Sequence, residues 1–299
     1  MRGRIALAGL AIAALAVGAV LATTSPPSLL SGYDWAWGGD RGATKVAKAV
    51  PFGSHGQTLD VWRPEDASAS VRLPVVMFWY GGGWVKGDRA AYAFAGRALA
   101  KAGFLVVIPD YRKVPTVRFP AFLQDGAEAV RWTRDNAARY GGDPDRVALA
   151  GHSAGAYEAI MLALDGKWLR EVGVDPAIVK AAIGLSGPYD FYPFDTKRSI
   201  DAMSRWPRPL ETQPITYARA DAPPLLLVTS NGDETVRHRN ADRLAAQLRD
   251  LGAPVELRNY GPIDHEEVVM ALSTPFRDKA PVLADSVAFL KRNLGQVSQ

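Results

Sequence analysis

The sequence predicts one large α/β domain, a mostly parallel central sheet with helices on both faces. Two observations carry this reading. The runs at 74–80 (PVVMFWY) and 104–108 (FLVVI) are short and continuously apolar, as strands buried on both faces are. Stretches with helical spacing lie between and after them, so strand and helix alternate along the chain. With 299 residues, the chain is long enough to bury the core such a sheet needs.

Residues 1–25 stand apart from that alternation. Arg2 and Arg4 precede an uncharged run, 5–22, of Ala, Leu, Val, Ile and Gly. This is the pattern of a signal peptide cut after Ala22, and the run is also just long enough to be an uncleaved membrane anchor. In both cases the two arginines favour a cytoplasmic N-terminus with the body of the protein outside. The expected location is therefore extracytoplasmic or secreted, with membrane association through 5–22. Residues 26–45 contain Pro26, Pro27 and several Ser and Gly, and they read as a linker. Trp35 and Trp37 within it would sit at a membrane surface or be tucked on the domain, which occupies 46–299.

Within the domain, 58–62 alternates as an early edge strand does, followed by the buried strand 74–80. Residues 90–102 are Ala-rich and stop at Gly103, a helix with its terminator. After the strand 104–108 comes a helical stretch, 121–140, spaced by Phe122, Ala129, Val130 and Trp132 and ended by Gly141-Gly142. The remainder repeats the theme: strand 146–150, helix 154–164, strands 181–185 and 224–229, helix 239–251, strand 255–260 and helix 281–294. In a sheet of this kind functional groups gather at the carboxyl ends of the strands.

Composition excludes several kinds of chemistry. There is no cysteine, so disulfides, thiolate metal sites and cysteine nucleophiles are ruled out. The net charge of +4 is scattered, with no Lys/Arg run or aromatic-basic module to suggest a nucleic-acid partner. No H-E-x-x-H occurs, and the only histidines are His55, His152, His238 and His265, so no metal is expected. The triplet in Tyr80-Gly81-Gly82-Gly83-Trp84 lacks the later glycine and acid of a dinucleotide site. No cofactor is expected.

Two glycine motifs carry the chemistry. Gly151-His152-Ser153-Ala154-Gly155 is a G-x-S-x-G pentapeptide between a strand-like run and a helix-like one. Such a sharp turn lifts the Ser153 hydroxyl clear of the sheet and aims it at a helix N-terminus, where N–H groups can stabilise an oxyanion. Tyr80-Gly81-Gly82-Gly83-Trp84 follows a buried strand, and its glycines leave backbone N–H groups unshielded. The expected oxyanion donors are Gly82, Gly83 and Ala154, the last directly after the nucleophile.

A G-x-S-x-G serine recruits its acid and then its histidine from later in the chain. Only His238 and His265 follow Ser153. His265 sits in a loop after the strand 255–260, whereas His238 lies between Arg237 and Arg239 at a helix start, so His265 is the expected base. The acid should follow the strand 224–229, which offers Asp233 and Glu234. Adjacent residues cannot both aim at one imidazole; Asp233 is favoured and Glu234 is the alternative.

Taken together, LDVWRP, YGGGW, PDYRKVPTVRFPA, YGGDPDRVALAGHSAG, LSGPYDFYPF, SNGDETV and the IDH loop resemble one group of bacterial enzymes. These are the carboxylesterases of the hormone-sensitive-lipase-like and feruloyl-esterase-like branch of the α/β-hydrolase fold. The resemblance covers the chain from about His55 to the last helix. It implies hydrolysis of short- to medium-chain or aryl esters, a small-molecule substrate, through a Ser153-Asp233-His265 triad and an acyl-enzyme. The sequence departs from the wider family at Tyr80, which replaces a histidine, and at Ser230-Asn231, which replaces a His-Gly opening. The same residues would also suit an arylformamidase, another amidase or a peptidase, and a non-catalytic envelope protein is a further alternative. The segment between strands 181–185 and 224–229 should roof the site with an aromatic wall, and Trp84, Tyr189 and Phe191 are the expected substrate contacts. Oligomeric state is left open.

Overall fold

The structure is a computed structural model that describes residues 25–68 and 70–295. The apolar run 5–22 lies outside the described residues. Among the described residues no helix is long and apolar enough to cross a membrane.

Eight strands form one sheet: β1 Ala43–Phe52, β2 Gln57–Pro64, β3 Leu73–Trp79, β4 Leu105–Pro109, β5 Gly142–His152, β6 Val179–Leu185, β7 Leu225–Thr229 and β8 Val255–Asn259. Their order is β1-β2-β4-β3-β5-β6-β7-β8, parallel throughout except for β2, which runs antiparallel to both neighbours. Every residue of β3, β4 and β7 is buried, which is why these segments read as uninterrupted apolar runs. The edge strand β1 is different. Its pairing with β2 is interrupted twice between Lys45 and Val50, and Ala49 takes φ +54°.

Two groups of helices cover the sheet. Helix α1 (Pro26–Ala36) packs with α2 (Ala93–Lys101), and α2 touches α9 (Val282–Leu294). Helix α3 (Ala121–Asn136) packs with α4 (Ala154–Leu164) and α5 (Lys167–Glu171), and the turn Pro214–Tyr217 joins α4 to α7 (Arg239–Asp250). Between β6 and β7 lies a segment with one short helix, α6 (Lys197–Met203), and two 3₁₀ turns. A last short helix, α8 (His265–Met270), follows β8.

The stretch 26–45, expected as a linker, is instead part of the domain. Pro26 and Pro27 open α1 because a helix tolerates proline in its first turn, and Ser25 caps it. Asp34 on α1 is buried and accepts from Arg97 Nε at 2.9 Å and from the Thr274 backbone N–H at 2.7 Å. Arg97 also donates to the Ser31 carbonyl at 2.7 Å. Trp35 and Trp37 face outward, each 61% exposed, and neither is tucked on the domain.

Candidate functional site

The carboxyl ends of β3, β5, β7 and β8 bring the expected residues to one end of the sheet. Ser153 follows β5 with φ +55° and ψ −120°, a conformation that costs a non-glycine residue on the order of 1–3 kcal/mol. The turn is held by Ser153 N–H donating to the Leu185 carbonyl at 2.8 Å, and by Tyr157 N–H donating to the Ser153 carbonyl at 3.0 Å. The flanking glycines are sterically obligatory. A Cβ on Gly151 would lie 2.2 Å from the Gly155 carbonyl oxygen, and one on Gly155 would lie 2.2 Å from the Trp79 carbonyl oxygen.

His265 and Asp233 are both buried, with Nδ1 and Oδ2 2.8 Å apart. A carboxylate only accepts, so Nδ1 carries the proton and Nε2 keeps its lone pair. Glu234, the alternative acid, is exposed and bonds to neither ring nitrogen. The second Asp233 oxygen accepts the Val236 N–H at 2.7 Å, which fixes the carboxylate plane. The two loops are also stitched together. Ser230 Oγ donates to the Gly261 carbonyl at 2.9 Å and contacts the Ile263 carbonyl, and it accepts the Gly232 N–H at 3.0 Å. Gly232 itself has room for no side chain, since a Cβ would meet the Ile263 carbonyl at 2.6 Å. Asp264 caps α8 reciprocally with Glu267, which places His265 at the first helical position.

His152, to which sequence alone assigns no role, joins the nucleophile turn to this pair. Its Nε2 lies 3.1 Å from the His265 carbonyl oxygen, its Nδ1 lies 3.0 Å from the Tyr92 hydroxyl, and its ring centroid is 4.8 Å from that of His265. A carbonyl accepts, so Nε2 is protonated and the Tyr92 hydroxyl donates to Nδ1. Burial first, and then the charge of His265, hold the His152 imidazole well below its usual pKa. Burial likewise raises the Tyr92 hydroxyl.

Ser153 opens into a cavity of about 490 Å³ that Gly83, Trp84, Ala154, Phe191 and Val236 also line. The backbone N–H groups of Gly83 and Ala154 donate to no acceptor among the described residues. The Gly82 N–H, one residue earlier on the same loop, is equally unengaged among the described residues. Gly82 holds the turn, its carbonyl accepting from Val85 and Lys86 at 3.2 and 3.3 Å. Trp84 and Phe191 stack with centroids 5.9 Å apart and give the cavity an aromatic face. Tyr189 does not belong to it. The phenol is fully buried, wedged where a Cβ on Gly184 would come 1.9 Å from its oxygen, and it packs in the core beneath the site. The roofing segment is wired by two amides that no local sequence signal marks. Gln213 Oε1 accepts from Phe191 and Tyr192 N–H at 2.7 and 3.0 Å, and Asn240 Oδ1 accepts from Tyr189 and Asp190 N–H, both at 3.0 Å.

Away from this cavity, His55, Asp125 and Glu128 bring possible ligand atoms within 4.8 Å of one another. Both carboxylates already have protein donors. Arg112 clasps Asp125 at 2.6 and 2.9 Å, and Ser54 Oγ reaches Glu128 at 2.9 Å.

A parallel sheet with one antiparallel strand second from its edge, and a serine on the strained turn between a strand and a helix, defines an α/β-hydrolase. The chain belongs to the BD-FAE family, whose model matches residues 59–248. It is similar to esterase LipQ of Mycobacterium tuberculosis, 30% identical over 265 residues, covering 79% of this chain and 60% of LipQ. It is also 34% identical over 244 residues to carboxylesterase NlhH of the same organism, covering 74% of each. Among solved structures, the apo form of Thermogutta terrifontis esterase 2 shares the fold with a TM-score of 0.71 at 22% identity, covering 87% of this chain and 97% of that one.

Proposed function

We propose that this protein is a serine carboxylic-ester hydrolase with Ser153 as nucleophile, His265 as base and Asp233 as the acid that orients it. The observation that carries this reading is the buried 2.8 Å pair of His265 and Asp233, one side chain away from the strained Ser153 turn. With Nδ1–H given to Asp233, Nε2 takes the Ser153 hydroxyl proton as Oγ bonds to the ester carbonyl carbon. The carbonyl oxygen becomes an oxyanion that the N–H groups of Gly82, Gly83 and Ala154 receive, and each such donor contributes roughly 3–4 kcal/mol. The C–O bond to the alcohol breaks as Nε2 passes the proton to the leaving oxygen. Water then attacks the acyl-Ser153 ester by the same relay, releasing the acid and restoring the serine. Trp84 and Phe191 bind the organic part of the ester.

The test is hydrolysis of p-nitrophenyl esters from acetate to palmitate by the wild-type chain and by Ser153→Ala. The expected result is turnover of the shorter esters, lost in the variant. A folded wild type with no turnover of any ester would overturn the reading.

The same proposal places the enzyme outside the cytoplasmic membrane, delivered there by the N-terminal segment. Arg2, Arg4 and the apolar run 5–22 support it. Protease added to spheroplasts should remove the protein while leaving a cytoplasmic marker whole; protection of both would refute this placement.

A further inference from the structure

The cavity above Ser153 is lined by aromatic rings and by charge. Six ionisable side chains line it: Asp195, Lys197, Arg198, Glu234, Arg237 and Arg239. Lys197 is already paired with Asp201 at 2.6 Å. Arg198, Arg237 and Arg239 have no carboxylate within 4.0 Å and no side-chain hydrogen bond among the described residues. Three free guanidiniums therefore outnumber the two lining carboxylates. They come from two separate segments, Arg198 from the roofing segment and Arg237 and Arg239 from the end of the acid loop.

Arg198 is the one nearest the chemistry. Its stem crosses the oxyanion loop so closely that a Cβ on Gly83 would fall 2.6 Å from Arg198 Cδ and 3.4 Å from Nη1. That contact sets the guanidinium beside a proposed oxyanion donor, at the rim of the space a substrate enters. A guanidinium offers a planar fork of donors that matches a carboxylate, sulfate or phosphate, and it is less strongly hydrated than an ammonium. Asp195 and Glu234 at the same rim repel a second anion, so the preference is for a substrate with a single anionic group.

We propose, on the esterase reading above, that the preferred substrates are esters bearing an anionic group on the acyl or alcohol side, recognised by Arg198 with Arg237 and Arg239. The anion is held beside Gly83 while the neutral part of the ester lies on Trp84 and Phe191. Arg198 is then a specificity residue that binds substrate and takes no part in proton transfer.

Two matched substrate pairs test this with the full chain. Mono-p-nitrophenyl adipate against p-nitrophenyl hexanoate places the charge on the acyl side, and 4-carboxybenzyl against 4-methylbenzyl butyrate places it on the alcohol side. The readout is the ratio of kcat/KM for the anionic ester to that for the neutral one, corrected for spontaneous hydrolysis. In the wild type at low salt the ratio should exceed one for one of the pairs and shrink in 0.5 M NaCl, as an ionic contact does. Arg198→Ala should lower that ratio about tenfold or more, as losing a charge-assisted hydrogen bond does, mainly through KM. Arg198→Lys should recover part of it, and Arg239→Ala should lower it less. The pair that responds identifies which side of the ester carries the charge. Ratios below one for both pairs, or ratios that do not move in Arg198→Ala and Arg239→Ala, would overturn the proposal and leave the esterase reading standing. No turnover of any of the four esters would sink both.

Discussion

His152 donates its Nε2–H to the carbonyl oxygen of His265 at 3.1 Å. The residue before the proposed nucleophile thus holds the backbone of the proposed base, and Tyr92 fixes the tautomer that lets it do so. Replacing His152 by Gln or Phe should lower kcat by about 10- to 100-fold, the loss expected of a buried hydrogen bond that positions a reacting group, with KM little changed. A variant with wild-type kcat would remove His152 from the positioning of the site. Burial of the His152 ring makes stability depend on pH. The folded protein keeps His152 neutral, while the unfolded chain binds a proton near the ordinary histidine pKa of about 6.5. This contribution is fully present above that pH and is lost as the pH falls toward the depressed folded value. The melting temperature of the wild type should therefore drop more steeply below pH 6.5 than that of His152→Gln.

Asp233 and Glu234 are neighbours in sequence, but only Asp233 reaches the imidazole. Asp233→Asn should lower kcat/KM on a neutral ester by about 10⁴-fold, as expected when the wrong tautomer is favoured. Glu234→Gln should cost less than about threefold, the range of a surface substitution. Equal losses in the two variants would contradict the assignment.

Asp34 binds Arg97 and the Thr274 N–H where water has little access. Asp34→Ala leaves a buried guanidinium without its counter-charge and should cost roughly 3–5 kcal/mol of stability, read by urea unfolding. Trp35→Ser, one position away and exposed, should change stability by less than about 0.5 kcal/mol. A mild effect of Asp34→Ala would mean that α1 is not integral to the domain.

Glu158 on α4 is fully buried, and neither carboxylate oxygen has a hydrogen-bond partner among the described residues. Burial, with the charge of Asp125 second, raises its pKa well above the usual carboxylate value. Its contribution to stability is complete below about pH 4.3 and declines as the pH rises toward the raised folded value, because the unfolded chain ionises first. Glu158→Gln should therefore gain melting temperature relative to wild type on going from pH 4.5 to pH 8. A difference that stays constant across that range would show that the side chain ionises in the folded protein.

Sequence and structure agree best where a local requirement writes itself into residue type. Strands β3 and β4 were legible because both faces are buried, so the alternation of an exposed strand is absent. Gly151 and Gly155 were legible because backbone atoms occupy the space any side chain would take. Strand β1 was missed because it is an edge with one exposed face and a broken register, so 43–52 carries no regular pattern. Helix α1 was missed because its paired prolines read as linker, although a proline pair at a helix start is permitted. Helix α8 is announced by Asp264 and Glu267 at capping-box spacing, a local signal separate from the chemistry of His265. Tyr189 reads as a wall residue because an aromatic residue in a roofing segment looks the same in sequence whether it faces ligand or core. Ser230, Gln213 and Asn240 act through partners far away in the chain, and single-residue chemistry gives no sign of that.

The broken register of β1 has a consequence for how molecules meet one another. A straight sheet edge offers a row of unpaired N–H and C=O groups to a strand from another chain, the first step of aggregation. Here the Ala49 N–H turns inward to Asp60 Oδ1 at 2.9 Å, and Lys45 leans in to the other oxygen of the same carboxylate at 2.6 Å. The outer strand is bent by its own sheet and presents no clean ladder to a neighbour, so this margin resists edge-to-edge growth at high local concentration.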